Sequence, residues 1–145
     1  MIANITQDCS EIVRTLKAVL QGRGGVRLAV LFGSMARGRQ HAGSDIDIGV
    51  LPECDWTLRD ELDLASALTR AVGREVDLVR LDQGSAVLRW EVAQAHVPIL
   101  TASPMDLPRF LTAAALDHAD MEQLLTQAQT RLLRRLAHGQ RLPIG

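Results

Sequence analysis

Three acids and a glycine–serine pair carry the chemistry this chain could perform. Leu31-Phe32-Gly33-Ser34 is followed, after the ten residues Met35 to Ser44, by Asp45-Ile46-Asp47-Ile48-Gly49-Val50. Side chains alternate faces along a strand, so Asp45 and Asp47 share one side while Ile46, Ile48 and Val50 point into a core. Two neighbouring carboxylates repel unless a cation sits between them. Hard oxygen pairs of this kind suit Mg²⁺, which takes one or two protein carboxylates and fills its remaining positions with phosphate and water. Gly33 permits close backbone approach, and Ser34 can open a short helix whose N–H groups and hydroxyl hold a phosphate. Glu75-Val76-Asp77-Leu78-Val79 reads as a further buried strand with Asp77 on the opposite face from Val76 and Leu78. If it lies beside the Asp45/Asp47 strand, three carboxylates can hold two metal ions, one on a triphosphate and one on an attacking hydroxyl. That is a phosphoryl-transfer site in outline. Taken singly, Gly-Ser after a strand is a turn and Asp-x-Asp is a water-facing strand edge; the three features together would need three coincidences.

The elements that must position these groups follow from pattern. Residues 6–21 form a first helix on the Ile12, Leu16, Val19, Leu20 spacing, ended by Gly22, Gly24 and Gly25. Strand one covers 26–32, and residues 34–37 make the short phosphate-facing helix. Residues 39–43 are polar and are expected to form a mobile loop beside the site. Arg37, and less directly Arg39, could neutralise triphosphate charge. Strand two runs over 45–51 and stops at Pro52. Thr57 with Asp60 opens a helix to Val72 with Leu58, Leu62, Ala65 and Leu68 inward, and Gly73 closes it. That leaves enough chain for a crossover, so strand two and the Asp77 strand are expected to be parallel neighbours. Gly84-Ser85 caps a helix to Ala95, and residues 96–100 add an edge strand. Trp56 and Trp90 read as packing residues. Ser103-Pro104-Met105-Asp106 carries cap chemistry, and an uninterrupted helix is expected over 108–138, about 45 Å long at 1.5 Å per residue. Its stripe is Phe110, Ala114, Met121, Leu125, Ala128, Leu132 and Leu136. So small a core cannot bury all of it, which leaves one end for another subunit or a protein partner, as homodimer or hetero-oligomer. Arg131, Arg134, Arg135, His138 and Arg141 crowd that end and complement the helix dipole, a phosphate-bearing partner being the sharper alternative. Asp117, His118 and Asp120 are expected to be solvated.

The 145 residues fit an α/β (α+β) fold with a small mixed sheet flanked by helices. The nucleotide-handling body is expected over 1–102 and a C-terminal helical arm of the same domain over 103–145. Hydrophobic residues at 47% and charged residues at 23% are globular values. A net charge of −1 offers no global footprint for nucleic acid. Cys9 and Cys54 are far apart without histidines at metal spacing, which fits a reducing cytoplasm. The N-terminus lacks a signal-peptide pattern and no apolar run reaches membrane-spanning length, so a cytoplasmic location is expected. Tyrosine is absent.

Gly33-Ser34, the ten-residue gap, Asp45-x-Asp47 and the distal Asp77 resemble the nucleotidyltransferase fold of the DNA polymerase β superfamily. The short length and Gly33-Ser34-Met35-Ala36-Arg37-Gly38 most resemble the minimal nucleotidyltransferases, small proteins paired with HEPN-domain toxins as antitoxins. The resemblance spans residues 26–81 and implies a Mg²⁺-dependent enzyme. Asp45, Asp47 and Asp77 would be its catalytic and metal-binding acids, and Gly33, Ser34 and Arg37 its nucleotide contacts. It further implies two Mg²⁺ ions, ATP as substrate, and adenylylation of a hydroxyl, typically tyrosine, on a HEPN toxin. With no tyrosine in this chain, such an acceptor must come in trans. One rival is an aminoglycoside-type small-molecule nucleotidyltransferase, whose pocket would need a dimer interface here. Another is an antitoxin that masks its partner sterically. Polymerisation of nucleic acid is disfavoured by the absent basic track.

Overall fold

The computed structural model describes residues 9–39 and 45–139. The start of the expected first helix (6–8), most of the loop at 39–43, and Arg141 lie outside them. Helix α1 (Cys9–Arg23) buries Ile12, Leu16 and Leu20, one residue per turn along a single face. Gly24 and Gly25 follow at φ +71 and +80, where a side chain would be strained. Strand β1 (Val26–Phe32) then runs through the interior and passes directly into α2 (Gly33–Ala36).

Strand β2 (Ile46–Pro52) returns antiparallel to β1. Helix α3 (Leu58–Val72) carries the chain over to β3 (Val76–Arg80), parallel to β2 as the crossover length required. Its start is the reciprocal cap expected from Thr57 and Asp60: the Thr57 N–H donates to Asp60 Oδ2 at 2.7 Å and the Asp60 N–H donates to Thr57 Oγ1 at 3.2 Å. Its end is Gly73 at φ +78. Helix α4 (Ala86–Gln94), capped by Ser85, leads to β4 (Val97–Thr101) on the far edge, antiparallel to β1. The sheet order is β3-β2-β1-β4.

Two apolar layers follow from the strand alternation. Ala29, Leu31, Ile46, Ile48 and Val50 face α1 and α3, with Trp56 packed at the margin. Leu28, Val30 and Phe32 face α4 and α5 through Val92 and Phe110.

Two expectations for α3 need correcting. Leu58 and Leu62 are exposed, and Leu64, Leu68 and Val72 form the buried stripe. The helix carries leucines in two rotational phases centred about 120° apart at 100° per residue, and contact with the sheet selects the second. Helix α5 (Asp106–Ala137) begins two residues before Pro108, which sits in the first turn where its missing N–H costs no helical bond. Pro104 is not the first helical residue as expected, but cap chemistry is present in this stretch: the Met105 N–H donates to Ser103 Oγ at 3.4 Å, and the buried Asp106 carboxylate accepts the Ser103 N–H at 2.8 Å. Of the α5 stripe only Phe110 and Ala114 are buried; Leu125, Leu132 and Leu136 are exposed. Asp117 and His118 are not merely solvated. Asp117 receives Arg89 Nη2 at 2.9 Å, and His118 stacks on Trp90 with ring centroids 4.2 Å apart and contacts Glu122 at 3.2 Å. The Arg89–Asp117 pair and the Trp90–His118 stack fasten α5 to α4, and the Glu122 contact lies within α5.

Candidate active site

The register of three strands decides where the acids lie. Phe32, the last residue of β1, is the Cα partner of Asp47, and Asp47 is in turn the partner of Asp77. Ile46 and Ile48 are fully buried in the α1/α3 layer, so Asp47 projects to the other face, toward α4. Asp45 precedes β2 and is exposed. The sheet therefore brings Asp47 and Asp77 onto one rung with Asp45 next to it.

Gly33 closes the site from the β1 side. It has φ +72, and a Cβ built there would collide with the Asp47 carboxylate, its Cγ only 3.1 Å away. Gly33 is thus required twice, by its backbone conformation and by the carboxylate that occupies the space of its missing side chain. Ser34 follows in the first turn of α2, half-buried. The loop leaving α2 is held by its own backbone, with the Arg37 N–H donating to Gly33 O and the Arg39 N–H to Ser34 O at 2.8 Å. Arg37 and Arg39 are exposed just beyond Ser34, and no ion pair involves either among the described residues.

Burial raises the Asp47 carboxyl above the ordinary carboxylate range, and the charges of Asp77, Asp45 and Glu91 raise it further. Glu91 on α4 was not anticipated. Nothing in the sequence marks it, because only the packing of α4 against the sheet turns that helix position toward Asp47. The excess of negative charge at Asp47 fits a hard divalent cation, which would offset all four carboxylates. Among the described residues no three His, Cys, Asp or Glu side chains are gathered as they would be round a metal ion.

A sequence model of the Polymerase beta, Nucleotidyltransferase family matches residues 14–104, which hold every one of these groups. The chain belongs to that family. Within it, this nucleotidyltransferase is 42% identical over 67 residues to the protein adenylyltransferase MntA of Shewanella oneidensis. That match covers 46% of this chain and 48% of the relative, so the chain spans about half the length of the relative it matches. A crystal structure of a toxin–antitoxin with AMP-PNP superposes with a TM-score of 0.68 at 27% identity, covering 86% of this chain and 98% of that one. A tri-AMPylated Shewanella oneidensis HEPN toxin in complex with its MNT antitoxin contains a chain of the same fold. There the TM-score is 0.64 at 23% identity, over 88% of this chain and 98% of that one. The mixed sheet, the parallel β2–β3 pair and the long C-terminal helix agree with the fold and family expected from the sequence. No helix among the described residues is long and apolar enough to cross a membrane.

Proposed function

We propose that this nucleotidyltransferase is an antitoxin that transfers AMP from ATP to a tyrosine hydroxyl of a HEPN-domain toxin. The observation that carries the reading is the single rung shared by Asp47 and Asp77, with Gly33 closed against the Asp47 carboxylate. The family assignment and the relative and complexes above support the same class of chemistry. Asp45, Asp47 and Asp77 are the residues that would hold Mg²⁺. When bound, the metal supplies charge neutralisation for the triphosphate and a Lewis acid for the acceptor oxygen.

The chain's own residues then have separate tasks. The Gly33 backbone and Ser34 hold the β- and γ-phosphates, and Arg37 adds positive charge from the loop. Asp77, on the outermost strand, is the acid reached first by an acceptor arriving from outside the sheet. The acceptor oxygen attacks the α-phosphorus, the bond to the bridging oxygen breaks, and pyrophosphate leaves with the pair of electrons. The acceptor proton passes to Asp77. Positioning and charge account for most of the acceleration.

The exposed leucines of α5 favour one accompanying role, a docking face that also covers the toxin. The test is mass spectrometry of a HEPN-domain toxin co-expressed with this chain. Added AMP is expected with the wild type and none with Asp77→Asn. A neutralised but unmodified toxin would leave masking alone, and modification of an aminoglycoside without any protein acceptor would replace this reading by the small-molecule one.

A further inference from the structure

Strand β3 is one of the two edge strands of the sheet, and its pairing phase leaves one edge open. The Ile46 N–H donates to Glu75 O and the Leu81 N–H donates to Val50 O. This parallel phase directs the backbone groups of residues 75, 77, 79 and 81 toward β2, and those of Val76 and Leu78 outward. The Val76 N–H is taken by Thr69 Oγ1 at 3.1 Å. The Leu78 N–H and C=O face outward with no bond to other backbone beyond the sheet among the described residues.

A groove of about 600 Å³ runs between this edge and α3 and reaches Asp77. Its α3 wall carries Leu58 and Leu62, which are 69% and 58% exposed. These are the leucines that the helical pattern alone would have sent into the core. Glu61 and Glu75 line the same groove against a single cation, Arg70.

We infer that this groove takes an extended segment of the acceptor protein as a strand added to β3, a reading that rests on the function proposed above. Main-chain bonds to Leu78 would hold the segment, and its side chains would alternate between the two faces of the sheet. Val76 and Leu78 face the α3 layer, whereas Asp77 faces the other side. A residue whose hydroxyl lies on the Asp77 face therefore has its neighbours on the Leu58/Leu62 face. The segment that fits is an acceptor tyrosine flanked by apolar residues, with a Lys or Arg nearby to meet Glu61 and Glu75. Asp77 itself lines this groove, whereas no α5 residue does, which separates it from the exposed end of α5.

The experiment is steady-state adenylylation of the HEPN-domain protein at varied acceptor concentration, using the full chain and the double variant Leu58→Asp/Leu62→Asp. Both side chains are exposed, so the variant should fold with an unchanged Tm and unchanged ATP affinity. The acceptor KM should rise about tenfold or more, the penalty of a desolvated carboxylate at an interface anchor. Replacing the apolar neighbours of the modified tyrosine by Asp should raise KM similarly, and the two changes together should be non-additive. An unchanged acceptor KM in the double variant would overturn the groove while leaving the proposed function standing. A wild-type dimer that the double variant converts to monomers, with acceptor KM unmoved, would assign the groove to a second copy and overturn it equally. An acceptor left unmodified by the wild type would remove the function itself, and this inference with it.

Discussion

Asp47 and Asp77 are Cα partners on adjacent parallel strands, one on an inner strand and one on an edge strand. Their side chains rise from the same rung, and burial together with the neighbouring Asp77 charge opposes ionisation of Asp47. The pair is an unfavourable feature of the fold that a cation bound between the two carboxylates would offset.

Replacing Asp47 by Asn should reduce turnover by at least about a hundredfold, the scale expected for an electrostatic group at the reacting centre. Stability should move the other way. The native Asp47 carboxyl sits above its unfolded value, so the folded state keeps its proton longer as pH rises. Stability linked to that proton is present below the ordinary carboxylate range and is lost as pH climbs through the raised native value. In chelator, Asp47→Asn should therefore match the wild type in acid and exceed it near neutral pH. Urea unfolding across pH checks this, and equal stabilities at neutral pH would contradict the repulsion.

Gly33→Ala should cost about 1 kcal/mol or more from the left-handed backbone alone. It should also displace the Asp47 carboxylate, which stands where the new methyl would go. Thermal unfolding paired with a turnover assay would show both losses; a fully active Ala variant would mean that the acid does not need its present position.

Ser34→Ala should keep the fold, because its main-chain bond to Arg39 remains. Nucleotide affinity should fall by about 1–3 kcal/mol, the range for a hydrogen bond to a charged group. Titration of ATP into both proteins measures it, and equal affinities would move the phosphates elsewhere.

Leu125→Asp and Leu132→Glu alter exposed positions of α5 and should change stability by no more than about 0.5 kcal/mol. Toxin binding and modification should weaken while ATP binding persists, since an apolar interface does not accept a buried carboxylate. If α5 instead joins two copies of this chain, sedimentation would find monomers in these variants and toxin recognition unaffected.

Most of the site's framework was legible because short-range rules determine it. Alternation placed Asp47 opposite Ile46 and Ile48, and the α3 crossover made β2 and β3 parallel neighbours. The Thr57/Asp60 cap and Gly73 bounded α3 through chemistry confined to a single turn. What escaped depends on rotation and approach between elements. The leucines of α3 fit two phases, and only the sheet chooses between them. The Glu91 charge acts on Asp47 because α4 lies on that face, and His118 finds Trp90 because α5 packs on α4. Asp106 was legible as part of a cap, but its burial against the Ser103 N–H depends on how α5 meets the sheet.

The two indoles stand in different layers, Trp56 with the α1/α3 cluster and Trp90 stacked on His118 between α4 and α5. With no tyrosine in the chain, its intrinsic ultraviolet emission comes essentially from these two side chains. Trp56→Phe and Trp90→Phe would thus give each layer its own fluorescent reporter. Coincident denaturation curves would mean that the sheet loses both coverings as one cooperative unit. An earlier transition at Trp90 would mean that the α4–α5 layer lifts away first, uncovering the Asp47 face of a sheet still folded on its other side.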